Sequence, residues 1–131
     1  MNNITIIIPC YNEADSLKDL FKQFNKVNSF FNFILIDNGS TDSTQTILNS
    51  IKVPDNVEIY KKEINSGYGA GIKYGISKVK TKYSGWMHGD LQQNLEVLLN
   101  AKKLFDKLDE KDFNDYLALK GLRSGRSIFE N

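Results

Sequence analysis

The sequence contains one cysteine, two prolines, one histidine and one tryptophan in 131 residues, and neither sign of charge prevails. The single thiol, Cys10, excludes an internal disulfide framework and fits a reducing compartment. Seventeen Lys and Arg against sixteen Asp and Glu leave a formal net charge of +1. That balance excludes the broad basic surface with which nucleic-acid binders hold a phosphate backbone, so no nucleic-acid partner is expected and any anion recognition must be local. Long hydrophobic runs are absent too. The longest, residues 4–9, is far short of a bilayer span, and no basic segment leading into an apolar stretch opens the chain. The chain reads as cytoplasmic, with no transmembrane segment; any membrane contact is expected to be peripheral, through a partner or a lipid substrate. Its length suits one domain with a real core and is too short for two of ordinary size.

What is present is an alternation of β-rich runs with amphipathic stretches, the pattern of a parallel sheet covered by helices. Residues 4–8 form a continuous apolar run that ends at Pro9, as expected of a buried strand with a stop. Leu17, Leu20, Phe21 and Phe24 follow at helical spacing, with Asn12 placed to cap and Glu13 and Asp15 in the first turn. Residues 33–36 predict a second strand, and Thr44, Ile47, Leu48 and Ile51 a second helix. A third unit joins a strand over 57–60 to a helix with an inner face of Ile72, Gly75, Ile76 and Val79, where Gly71 and Gly75 allow close approach to the sheet. Residues 84–87 predict a fourth strand, Leu95, Leu98, Leu99 and Phe105 a fourth helix, and residues 116–119 a fifth strand.

Ligands of open parallel sheets bind beyond the carboxyl ends of the strands, so the loops there carry the candidate chemistry. Pro9-Cys10-Tyr11-Asn12-Glu13 offers a ring and a carboxylate suited to a base and ribose, and suits a strand stop plus helix cap equally well. Asp37, placed directly after a buried strand, can accept from a base N–H or a ribose hydroxyl; a turn needs no charge there. Gly67-Tyr68-Gly69-Ala70-Gly71 lets backbone amides approach a ligand, yet matches neither the dinucleotide nor the P-loop spacing. Lys73 is either a phosphate contact or an exposed helix lysine. In His88-Gly89-Asp90-Leu91-Gln92, strand alternation would bring His88 and Asp90 to one face with Gln92 close beyond, where all three could reach one divalent ion; a hydrogen-bonded loop histidine is the alternative. Arg123 and Arg126, three residues apart, form either a phosphate clamp or a solvated basic turn.

In order, IIIPCYNEADSL, ILIDNGSTDST, NSGYGAGIKYGI, WMHGDLQQ and ALKGLRSGR resemble the family 2, GT-A-type glycosyltransferases, above all the branch of dolichyl-phosphate mannosyltransferase and bacterial polyprenyl-phosphate glycosyltransferases. The resemblance implies a three-layer α/β/α Rossmann-like nucleotide-diphospho-sugar transferase fold with a mainly parallel sheet. It implies nucleotide binding by Pro9, Tyr11, Asn12, Glu13, Asp37, Asn38, Gly67 and Lys73, with Asn38 standing where such enzymes have a second acidic residue. The D-x-D metal motif falls on His88-Gly89-Asp90, histidine replacing the first aspartate and Gln92 matching a third ligand; Asp90 is the expected catalytic residue and Mn²⁺ or Mg²⁺ the expected cofactor. Arg123 and Arg126 match cations that grip the donor phosphates.

The implied reaction is transfer of a sugar from a UDP-, GDP- or dTDP-sugar, with inversion, to a lipid phosphate or a glycan. Family members continue beyond the basic segment into the acceptor region, so residues 1–131 read as a single donor-binding domain that lacks that region. A catalytically impaired nucleotide-binding or interaction fragment is the alternative. A nucleotidyltransferase would want a glycine- and lysine-rich loop after the first strand, which Pro9-Cys10-Tyr11 is not. A homo-oligomer is compatible with the composition.

Overall fold

The structure, a computed structural model, describes residues 3–27, 30–90 and 94–107. Strands and helices alternate as β1 (Ile4–Cys10), α1 (Leu17–Val27), β2 (Asn32–Asn38), α2 (Thr44–Ser50), β3 (Val57–Lys62), α3 (Tyr68–Ile76), β4 (Tyr83–Trp86) and α4 (Val97–Asp106). The expected fifth strand lies outside the described residues. The four strands form one parallel sheet in the order β3-β2-β1-β4.

That order explains the layers. From β1 the chain steps to β2 and β3 in one direction, then crosses back to place β4 on the other side of β1. Right-handed crossovers therefore put α1 and α2 on one face and α3 on the other. Side-chain alternation agrees: Ile6, Ile8, Phe33 and Leu35 pack with Leu17, Leu20, Phe21 and Phe24 of α1 and Leu48 of α2. Ile7, Ile34 and Ile36 turn to the opposite face, toward Tyr74 and Val79. The result is the expected three-layer α/β/α arrangement, with β1 buried on both faces.

Several local expectations are corrected. Pro9 does not end β1, which continues through Cys10. Pro9 shares the parity of Ile7, whose carbonyl accepts from the Met87 N–H, and the β4 pairing ends at Ile7 opposite Trp86. The N–H that proline lacks therefore falls beyond the end of β4, where no ladder bond is needed. Asn12 does not cap α1: the helix begins at Leu17, with the Ser16 carbonyl accepting from Leu20 N–H. β4 spans Tyr83–Trp86 rather than 84–87. Ile76, assigned to the inner face of α3, is 46% exposed, because Gly71 and Gly75 occupy that face. Leu95 is buried but precedes α4, its N–H donating to Gln23 Oε1 at 2.7 Å.

Gly75 illustrates why α3 can approach so closely: a Cβ there would run into the fully buried Ile7 side chain. Gly69, one turn and a half earlier, has open space at the same position. The two alanine substitutions should therefore differ in sign. Gly69→Ala gains helix propensity, up to about 1 kcal/mol. Gly75→Ala offsets the same gain with overpacking of about 1–3 kcal/mol. Urea unfolding should show an unchanged or higher midpoint for Gly69→Ala and a lower one for Gly75→Ala.

Candidate functional site

The strand order changes direction between β1 and β4, and the loops leaving their carboxyl ends meet the loops after β2 and β3 at the same edge of the sheet. These loops are tied to one another by side chains. The Asn12 Oδ1 accepts from the backbone N–H of Thr41 at 2.8 Å and of Asp42 at 3.2 Å, and its own N–H donates to Ser40 Oγ. To do so Asn12 takes φ of 53°, a left-handed conformation that asparagine tolerates better than most residues. Glu13 N–H donates to Oγ1 of Thr44, which is fully buried and donates in turn to Asp42 Oδ1. Asn12, read from the sequence as a cap, and residues 40–44 thus join the first loop to the second.

Asp37 and Asn38 close β2 and point to opposite faces. Asp37 is 1% exposed; its Oδ1 accepts from Ser40 N–H, while Oδ2 is buried with no partner among the described residues. It lines a cavity of about 240 Å³ with Gln45, Leu48, Asn49, Ile59 and Lys61. Asn38 faces α3, where its Nδ2 donates to Gly67 O at 3.0 Å and Asn65 Oδ1 at 3.3 Å. A second cleft, of about 190 Å³, runs between the rings of Tyr11 and Tyr68 over Pro9, Cys10, Asn38, Asn65 and Gly67.

Beyond β4 the chain leaves the strand and bends at Gly89 and Asp90. Gly89 lies against β1, where a Cβ would stand 2.6 Å from Cys10 Sγ. That approach requires glycine and brings Asp90 near Glu13. The imidazole of His88 stacks on Tyr68, centroids 4.5 Å apart and planes within 10°. Lys73 is exposed on the side of α3 away from Gly71 and Gly75. Gln92, Arg123 and Arg126 lie outside the described residues, and among those described no cluster of three His, Cys, Asp or Glu is poised around one point.

Electrostatics report the convergence directly. Burial pushes the Cys10 thiol well above its ordinary range, and the charges of Glu13, Asp37 and Asp90 push it further. It stays protonated, a packing group and not a nucleophile. Glu13 is raised by desolvation first and by Asp90 second, partly opposed by a Ser16 hydrogen bond. Three carboxylates, from the end of β2 and from the loops after β1 and β4, therefore face the end of one strand.

The family model of Glycosyl transferase family 2 matches residues 5–115. The chain belongs to this family. The family resemblance is thereby established, and four of its five segments lie within the matched residues, ALKGLRSGR falling beyond them. An uncharacterised glycosyltransferase of Rickettsia bellii is 32% identical over 113 residues, covering 83% of this chain and 16% of the relative. A dolichyl-phosphate beta-glucosyltransferase of Dictyostelium discoideum is 28% identical, over 83% of this chain and 37% of the relative. The chain thus spans well under half the length of these relatives. In fold it is similar to S. aureus TarS 1-349 solved in complex with UDP-GlcNAc, with a TM-score of 0.67 at 23% identity over 82% of this chain and 32% of that one. No helix among the described residues is long and apolar enough to cross a membrane.

Tyr68, Asn65 and the Gly89–Cys10 contact escaped the sequence reading; the only cue was an aromatic residue set between the glycines of the third loop. The family 2 domain makes one electrostatic prediction. A carboxyl whose pKa is higher folded than unfolded destabilises the fold once ionised: the penalty is absent below the unfolded value and complete above the folded one. Asp90→Asn removes the second cause acting on Glu13. Glu13 should then titrate at lower pH by carboxyl NMR, and the stability lost as pH rises through that window should shrink; an unchanged Glu13 titration would contradict the proximity of the two groups.

Proposed function

We propose that the carboxyl edge of the sheet binds a nucleoside-diphosphate sugar, and that the protein of which these residues form the donor domain transfers the sugar with inversion to an acceptor. The observation that carries this reading is the convergence of Glu13, Asp37 and Asp90 at the direction change of the sheet, beside a cleft walled by Tyr11 and Tyr68. Each cavity is smaller than the roughly 300 Å³ at which whole-ligand sites begin. Each suits one part of an extended ligand. Asp37, buried with one oxygen unpartnered, is placed to accept from a base N–H or a ribose hydroxyl. Tyr11 offers a ring face in the second cleft.

The donor set fits a divalent cation, Mn²⁺ or Mg²⁺. Glu13 and Asp90 repel one another, and ions of this kind at diphosphate sites take only one or two protein carboxylates, the remaining ligands being phosphate oxygens and water. Asp90 and His88 would hold it, with Gln92 as a further ligand. When bound, the ion supplies charge neutralisation on the departing nucleoside diphosphate. Asp90 would act in this sense, by holding the cation that neutralises that group. Arg123 and Arg126 are assigned to the donor phosphates. Among the acceptors that fit, a polyprenyl phosphate is supported by the dolichyl-phosphate relative, and a cell-surface glycan is the other. A phosphate nucleophile is already ionised and needs little help from a general base.

Calorimetric titration with UDP-, GDP- and dTDP-sugars, with and without Mn²⁺, tests the reading. One donor should bind in a metal-dependent way, and Asp90→Asn should weaken it by about 10- to 100-fold, the worth of a charged contact of about 1.5–3 kcal/mol. Failure of every donor to bind the folded domain would remove the proposal.

A further inference from the structure

The resemblance marks two positions where this chain departs from an acidic family pattern, Asn38 and His88. In the fold they are linked through the first residues of α3. Asn38 is 3% exposed at the end of β2. Its amide meets two acceptors, Gly67 O and Asn65 Oδ1, and the latter also accepts from Gly67 N–H at 2.8 Å. Only the nitrogen of the side chain can face that pair, which determines the orientation of the amide. A carboxylate in its place would set acceptor against acceptor in a buried position.

Gly67 is the N-cap of α3, with φ of 99°, and its carbonyl receives the Gly71 N–H as well. Gly71 in turn leaves the helix resting on the Asn38 amide, where a Cβ would lie 3.1 Å from Nδ2. The next residue after Gly67 is Tyr68, the ring against which His88 stacks. The backbone on either side of His88 is held by the Met87 N–H bond to Ile7 and by Gly89 against Cys10. Those contacts leave the imidazole itself free to rotate, and the Tyr68 ring is what defines its plane.

We propose that Asn38 and Tyr68 are positioning residues for His88: Asn38 anchors the start of α3, and the Tyr68 ring so placed holds the imidazole flat at the donor cleft. What the imidazole is held for rests on the donor-binding reading above. A ring fixed in one plane presents its nitrogens along one edge, and as a neutral borderline donor it favours Mn²⁺ over Mg²⁺ more than the carboxylate of the family pattern does. An aspartate at 88 would gain nothing from stacking on Tyr68.

His88 is the only histidine of the chain, so its imidazole C–H resonances in a proton NMR spectrum assign themselves. At one pH held fixed across the variants, they should be displaced upfield by the Tyr68 ring current. Tyr68→Phe should keep that displacement and Tyr68→Leu abolish it. Asn38→Asp should lose most of it while the amide spectrum remains that of a folded domain, and should cause no further change on the Tyr68→Leu background. Should Asn38→Asp fail to fold, Asn65→Ala, which removes one acceptor and the bond to Gly67, is expected to give the same loss. A folded Asn38→Asp or Asn65→Ala protein with the wild-type displacement would overturn the proposal. So would an equal shift in the Tyr68→Leu background. Added Mn²⁺ separates the two layers of inference: it should broaden the His88 resonances at lower concentration in the wild type than in Tyr68→Leu. No broadening with the displacement intact would contradict the metal reading of the cleft while leaving the positioning established.

Discussion

A parallel strand paired on both sides exposes neither edge to solvent, and both of its faces must then be covered. β1 is in that position, hydrogen-bonded to β2 and β4 and packed under α1 on one face and α3 on the other. Burial on this scale is the main favourable term for a domain of this size, at about 25 cal/mol per Å² of apolar surface. Its consequence at the carboxyl end is geometric. Where β1 runs out, β4 has stopped three residues earlier on one side, and a crevice opens between the loops at the carboxyl ends of the strands.

Holding charge in that crevice is costly, and the structure offsets the cost with hydrogen bonds between loops. Asn12 ties the first loop to the second, Asn38 ties β2 to the third, and Gly89 lets the fourth rest directly on Cys10. The acidic groups keep a cost: desolvation first and the charge of Asp90 second raise the affinity of Glu13 for a proton, and Asp37 keeps one buried oxygen without a donor among the described residues. A site left acidic and under-bonded by its own scaffold is suited to a ligand that brings a cation and hydrogen-bond donors. A nucleoside-diphosphate sugar with a divalent ion does both.

The alternation of elements was legible because buried parallel strands are continuous apolar runs and α1 carries Leu17, Leu20, Phe21 and Phe24 at strict helical spacing. The close seat of α3 was legible from Gly71 and Gly75. Misreadings came where a residue has a local role and a long-range one. Asn12 has the chemistry of a cap, yet its partners lie 29 and 30 residues away, and no local pattern encodes them. Pro9 reads as a stop unless the neighbouring strand is known to have ended. Ile76 fits the helical period, but the period cannot tell which side two glycines will draw to the sheet. The His88–Asp90 pair was read by motif and lies past the end of β4 at Trp86. Tyr68 was passed over because its partner, His88, lies on another loop. Gln92, Arg123 and Arg126 lie outside the described residues, as does the fifth strand.

The central claim is that the ligand edge is the carboxyl end of the sheet, where the strand order changes direction. Amide chemical-shift mapping on addition of UDP with Mg²⁺ addresses it without requiring turnover or an acceptor. The account predicts shifts at Tyr11, Asn38, Tyr68 and Gly89, from all four loops of that edge, with Lys52 and Lys80 at the opposite end unmoved. Shifts gathered at the 51–56 and 77–82 loops, or none at saturating nucleotide, would contradict it.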